Sequence, residues 1–180
     1  MKHLIKHLIG YFQPPKHLAA AVTAASITAL IFAYAAQYGF GLKPCILCLY
    51  QRVPYFTNIA LGALAFWAAS RRPRPAAALL LLAALVFFAG AAVAGFQVGV
   101  QQKWWEWISP SCGTGIVSTE GLSIEEIRKA LARQSTVVRC DKVSWTLFGI
   151  SLAGYNCMLS ATLGLGVLYL LGKKKAAAGK

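Results

Sequence analysis

Four cysteines carry the reactive chemistry of this chain. Cys45-Ile46-Leu47-Cys48 forms a close C-x-x-C, while Cys112 and Cys140 stand 28 positions apart, bracketing a polar segment. Thiols in such an arrangement exchange disulfides, staple a fold or hold a metal. Zinc sites normally combine two close-spaced ligand couples, often with histidine. The wide Cys112/Cys140 spacing and the lack of any histidine after His17 therefore argue for no metal. A C-x-x-C at a helix start gains from the unpaired backbone amides there, which favour a thiolate over a thiol. Pro44 suits a first helical turn, and Gly39 and Gly41 loosen the chain before it. Arg52 follows Cys48 by four residues, so one continuous helix would put the two on one face, one turn apart. Pro54 cannot donate to the carbonyl of Tyr50, which opens or kinks that turn and leaves room for a flat, polar-headed ligand.

The elements that position these residues are membrane spans. Of the 180 residues 58% are apolar and only 13% charged, more apolar surface than a soluble globule could hide. Apolar runs at 18–38, 76–100 and 145–171 each reach the roughly 20 residues a bilayer crossing needs, and 48–70 does so with Arg52 inside. An arginine in that position is costly unless it snorkels or finds a partner, and is a functional candidate. The expected architecture is an all-α membrane protein, a four-helix transmembrane bundle forming a single domain over 18–171. Residues 1–17 form an N-terminal tail and 172–180 a basic C-terminal one.

The net charge of +13 is explained by topology, without nucleic acid as a partner. Lys2, Lys6 and Lys16, then Arg71, Arg72 and Arg74, then Lys173, Lys174, Lys175 and Lys180 fall in the two tails and one connector, with no acid among them. All five acids lie in 101–144, where six cations nearly balance them. Positive-inside orientation then places both termini in the cytoplasm and the loops 39–47 and 101–144, with all four paired cysteines, outside. Disulfides are permitted in an oxidising outer compartment. Trp104, Trp105, Trp107 and Trp145 flank the outer loop, and Trp67 sits beside Arg71, as in aromatic belts. Ala33-Tyr34-Ala35 after the first apolar run imitates a signal-peptide cleavage site, but the run is longer than a signal core.

Within the outer loop, Ser123-Ile124-Glu125-Glu126 has the form of a capping box. It opens a segment with Ile124, Ile127 and Leu131 on one face, a short amphipathic helix lying on the lipid surface or over the bundle mouth. In the fourth span Cys157 reads as an apolar packing residue and Asn156 as an interhelical hydrogen-bond donor. Gly149, Gly154, Gly164 and Gly166 would allow close helix approach.

Two stretches, Lys43 to Arg52 and Cys140 to Ser151, together with four spans and four outer cysteines, resemble the disulfide bond formation protein B (DsbB) family over about 18–171. The resemblance implies a thiol:quinone oxidoreductase of the bacterial inner membrane. It would reoxidise a periplasmic DsbA-like thiol oxidase and pass two electrons to ubiquinone or menaquinone. Carried over by position, Cys112 is attacked by the partner's thiolate and Cys140 is its released mate. Cys45 takes electrons from the loop pair through a transient bridge. Cys48 is the thiolate that meets the quinone, with Arg52 polarising a quinone oxygen and Gln51, where some members have an acid, beside it. Accessible exchange suits the long polar loop, whereas a lipid-soluble quinone is met only by the helix-borne pair.

Two other classes compete. A membrane scaffold stapled by two disulfides has no use for Arg52 beside Cys48, and a C-x-x-C closes too small a loop to constrain much. A vitamin K epoxide reductase-like quinone enzyme normally carries its C-x-x-C after the loop cysteines, whereas here it comes first.

Overall fold

The computed structural model describes residues 15–105, 123–125, 140, 143 and 145–178. The described chain is almost wholly helical. Its elements are α1 (Pro15–Gly39), α2 (Ile46–Tyr50), α3 (Val53–Ala69), α4 (Pro73–Gln101), the two-residue strands β1 (Thr146–Leu147) and β2 (Ile150–Ser151), and α5 (Leu152–Ala178). Three of these helices, α1, α4 and α5, are long and apolar enough to cross a membrane, which fits an all-α membrane protein. The second apolar run is not one helix. It is divided into α2 and the 17-residue α3, with Gln51 and Arg52 at the break.

Pro54 causes that division. At the second position of α3 it has no N–H for the carbonyl of Tyr50, and the amide of Arg52 turns back to Leu49 at 3.1 Å instead. Proline also starts α4, where Pro73 follows the extended Arg72.

The fourth run differs from the expected 145–171 helix at its start. Thr146↔Ser151 and Leu147↔Ile150 pair antiparallel, closed by Phe148 and Gly149 at φ 50° and 78°. Two positive-φ residues make the turn whose twist suits a two-residue hairpin. The Ser151 hydroxyl then accepts the Gly154 amide at 3.2 Å, and α5 begins. Of the expected amphipathic loop helix only Ser123, Ile124 and Glu125 are described, the last two helical; the rest lies outside the described residues.

Helix α3 packs on α1 and α4, and α4 on α5. Lipid is as apolar as leucine, so small residues and close approach must hold such helices together. Along α4 the buried residues Ala76, Leu80, Ala83, Ala84, Phe87, Ala91 and Ala94 follow helical periodicity, while Leu81, Leu82 and Leu85 face outward. Of the four glycines expected at helix contacts, Gly164 meets the Phe88 ring, Gly154 meets Ile150, Gly149 lies in the hairpin turn, and Gly166 faces open space. Between two long helices a close approach occurs at Gly62, where a Cβ would lie 2.3 Å from Thr23 Oγ1 and 3.1 Å from the Ala19 carbonyl. One end of the assembly carries cations over aromatic rings: Lys16 on Phe66, Arg71 on Trp67 and Lys173 on Tyr169.

At Gly62 the obstruction includes backbone, so Gly62→Val should force α1 and α3 apart at a cost of about 1–3 kcal/mol. The expected result in lipid nanodiscs is an unfolding midpoint lowered by several degrees, with Gly166→Val unchanged. Equal midpoints for the two variants would contradict this packing.

Candidate functional site: the buried thiol cluster

At the end opposite the basic residues, Cys45, Leu47, Val100 and Cys140 form a second buried cluster, with Ile46, Cys48 and Phe96 against it. Cys45 is the N-cap of α2, its sulfur accepting the Cys48 amide at 3.4 Å. Pro44 thus precedes the helix instead of entering its first turn, and Cys48 sits one turn inside. The helix has five residues, so its macrodipole is a small influence compared with the groups touching the sulfurs.

The sulfurs of Cys45 and Cys48 lie 3.0 Å apart and unbridged. The side-chain hydrogen bond to Cys48, followed by burial, pushes the Cys45 thiol well above its ordinary range. Either thiol can donate in that contact. Gln97 of α4 meets both sulfurs: its Nε2 lies 3.3 Å from Cys48 Sγ and 3.4 Å from Cys45 Sγ, and its Oε1 can accept from Cys48 Sγ at 3.8 Å. An amide N–H aimed at a sulfur suits a sulfur that carries negative charge.

Gln97, only 2% exposed, was not among the residues the sequence singled out. It hides in the apolar run 76–100, where averaging masks one amide. The available signal was its solitude, because a lone polar residue inside a span needs a partner. Here it has several: Gln51 Nε2 donates to Gln97 Oε1, and Asn156 Nδ2 of α5 donates to Gln51 Oε1 at 2.6 Å. Asn156 Oδ1 in turn accepts from the Tyr55 hydroxyl, which contacts Ser160 Oγ at 2.9 Å. Gln51 is therefore brought beside the cysteines, through Gln97, and Asn156 is an interhelical donor.

Arg52 stands differently from its expected place on a helix face shared with Cys48. At the break it turns toward α1, its Nη2 donating to Gln37 Oε1 at 2.7 Å and its guanidinium lying 4.6 Å from the centre of the Tyr34 ring. It remains within coulombic reach of Cys48. Gln37 and Tyr34 are a second pair that sequence reading passed over, since each lies in a different apolar run from Arg52.

Cys140, 2% exposed, shares a buried cluster with Cys45, although 95 positions separate them in sequence. Cys112 lies outside the described residues. Cys157 is half-buried, its sulfur 3.6 Å from where a Cβ on Gly95 would be, which is ordinary packing. Among the described residues no cluster of histidine, cysteine or carboxylate could hold a metal.

Around the site, α4 ends in a reversal. The amide of Trp104 reaches back to Gly99 at 2.9 Å and that of Lys103, at φ 59°, to Val100 at 3.2 Å. This paired pattern is a Schellman cap with lysine at the position usually given to glycine. It lays Trp105 over Gly99 and stacks it on Phe96 at 5.5 Å, a ring that itself packs against the thiol cluster.

The model of the family described as disulfide bond formation protein DsbB matches residues 15–170. Disulfide bond formation protein B 2 of Pseudomonas syringae pv. syringae is 36% identical over 158 residues, 84% of each chain. Disulfide bond formation protein B of Albidiferax ferrireducens is 30% identical over 168 residues, 89% of each. No solved structure matches the chain significantly.

The shared burial of Cys45 and Cys140 predicts direct bridging. In a Cys48→Ser, Cys112→Ser variant, mild oxidation should yield an intramolecular Cys45–Cys140 disulfide as the dominant species, read by non-reducing peptide mapping. Finding Cys140 oxidised only between molecules would contradict the cluster.

Proposed function

We infer the function from kinship and site together: the chain belongs to the DsbB family of disulfide bond formation proteins, and we propose that it is a membrane thiol:quinone oxidoreductase that reoxidises a periplasmic DsbA-like dithiol oxidase. The observation that carries the proposal is the burial of Cys140 in one cluster with Cys45, beside an unbridged Cys48 that Gln97 contacts. We place the termini in the cytoplasm of a bacterial inner membrane and give the chain four crossings. The second is α2 with α3, and the loops 39–47 and 101–144 face the periplasm. Domain limits of 18–171, with short tails, follow from that arrangement.

The exchange begins with the partner's thiolate attacking Cys112 of a Cys112–Cys140 disulfide. That S–S bond breaks, a Cys112–partner mixed disulfide forms, and Cys140 leaves as a thiolate. Cys140 attacks Cys45 of a Cys45–Cys48 disulfide, forming the Cys45–Cys140 bridge and releasing Cys48. The partner's second thiol then displaces Cys112 and departs oxidised. Cys112 attacks Cys140, restoring the loop disulfide and leaving Cys45 and Cys48 reduced. Two electrons and two protons have moved from the partner to the C-x-x-C.

Ubiquinone or menaquinone fits the far side of this pair. Among the described residues the guanidinium donates to Gln37, one of its five N–H donors, and the surface beside Arg52 is formed by exposed Leu49, Tyr50, Val53 and Phe56. A quinone bound there would supply the acceptor for the two electrons and two protons released when the Cys45/Cys48 dithiol becomes a disulfide. Arg52 would donate to a ring oxygen as negative charge builds on it, with its planar fork oriented by Gln37 and Tyr34. Gln51 stays committed to Gln97 and Asn156 and would act from behind the sulfurs.

Lysine keeps the charge at position 52 but loses the fork. Arg52→Lys should weaken quinone use partially and Arg52→Gln strongly, about tenfold or more, mainly as a raised apparent KM for quinone. With the loop disulfide intact, a reduced partner that lacks its second thiol should be retained on Cys112 as a mixed disulfide, Cys140 leaving as a thiolate, and equally with or without Arg52→Gln. Unchanged quinone kinetics in Arg52→Gln would remove Arg52 from the site, and failure of the single-thiol partner to be retained on Cys112 would sink the relay.

A further inference from the structure

The hydrogen bonds behind the thiols run in one direction. An amide oxygen only accepts, so Tyr55 must give its proton to Asn156 Oδ1, which makes Ser160 the donor in the Ser160–Tyr55 contact. The sequence of donation is then Ser160 to Tyr55, Tyr55 to Asn156, Asn156 to Gln51, Gln51 to Gln97, and Gln97 to the sulfurs of Cys45 and Cys48. Every member spends its donor toward the thiols. Tyr55, Gln51, Gln97 and Ser160 are buried and Asn156 half-buried, on α3, α4 and α5 and at the break between α2 and α3.

Only one other arrangement satisfies all five groups. Each amide would have to rotate, Tyr55 would donate to Ser160, and Gln97 would present its oxygen to the sulfurs. That reversed chain requires a thiol to donate S–H, and it sets a carbonyl oxygen against any negative sulfur. The two senses are thus matched to two states of the C-x-x-C, and aligned bonds in a low-dielectric interior strengthen one another.

We propose that Gln97 is a further residue acting directly on the reacting sulfurs, and that Gln51, Asn156, Tyr55 and Ser160 are positioning residues that hold its N–H toward them, stabilising the reduced pair in its thiolate form. This rests on the thiol:quinone reading for its purpose, since it poises the pair to accept electrons from the loop and to release them from Cys48. Its geometry does not depend on quinone or partner. The consequence reaches far along the chain: a hydroxyl on Tyr55, separated from the sulfur by Asn156, Gln51 and Gln97, affects the redox equilibrium of two cysteines it does not touch.

The test isolates the pair in a Cys112→Ser, Cys140→Ser, Cys157→Ala background in nanodiscs. It measures the equilibrium between Cys45–Cys48 disulfide and dithiol in dithiothreitol buffers, and the alkylation rate of Cys48 by iodoacetamide at fixed pH. Gln97→Leu should lower the equilibrium constant for reduction about tenfold, equivalent to about 30 mV, and slow alkylation in step. Asn156→Leu and Tyr55→Phe should lower both about two- to fivefold, as expected for loss of a supporting hydrogen bond. Tyr55→Phe keeps the ring on Phe87, so it tests the chain even if Asn156→Leu fails to fold. A merely structural role would lower thermal stability and leave both readings in place. Equilibrium and alkylation unchanged in Gln97→Leu and Tyr55→Phe would overturn the chain without touching the thiol:quinone reading. That reading fails separately, if the unaltered protein does not oxidise a dithiol partner with quinone.

Discussion

A polar side chain inside hydrocarbon must find a partner, because no water is there to supply one. At Gln97 that constraint organises the end of the described helices that holds the thiols. Its carboxamide has two faces to satisfy, and it does so with the thiols on one side and Gln51 on the other. Gln51 is free to meet it because Pro54 breaks the second span beside it. Asn156 then draws α5 to the break, and Tyr55 and Ser160 complete the set. In lipid, where helix association has no hydrophobic drive, such bonds join packing of small residues as the available glue. The bonds that fasten α4 and α5 to the broken span are therefore the same ones that surround the reactive sulfurs.

The break also separates two tasks. A continuous helix would have set Arg52 directly beneath Cys48; the break instead sends its guanidinium to Gln37 and Tyr34 of α1. There the cation is held by a neutral amide and a ring face, neither of which cancels its charge. Cys45 and Cys140 share one buried cluster beside the C-x-x-C, and Gln97 reaches both of its sulfurs. Cys45 thus lies by a loop cysteine while Arg52 is held on α1, an arrangement suited to a relay that takes electrons on one side and gives them up on the other.

Much of this was legible in the sequence. The runs 18–38 and 76–100 became Pro15–Gly39 and Pro73–Gln101, since strongly apolar segments have few alternatives to a helix in lipid. The cysteines announced themselves by spacing, and Pro54 by its missing donor. What composition could not reveal was geometry within an apolar run. The stretch 145–151 is as apolar as a helix start, but Phe148 and Gly149 adopt positive φ and fold it into a hairpin. Gln97, Gln37 and Tyr34 were invisible for a related reason: each is a single residue in a hydrophobic window, and its partner lies on another helix. The proximity of Cys140 to Cys45 was suggested only by family resemblance, because nothing in the spacing of the two brings them together.

The central claim is that electrons pass from an external dithiol through both cysteine pairs to quinone. It is tested most directly by stoichiometry: purified protein in nanodiscs, a reduced DsbA-like dithiol partner and ubiquinone, with thiols and quinone absorbance followed together. The account predicts two partner thiols lost per quinone reduced, with turnover abolished in Cys48→Ala and retained in Cys157→Ala. Thiol loss without quinone reduction, or equal turnover in Cys48→Ala, would contradict it.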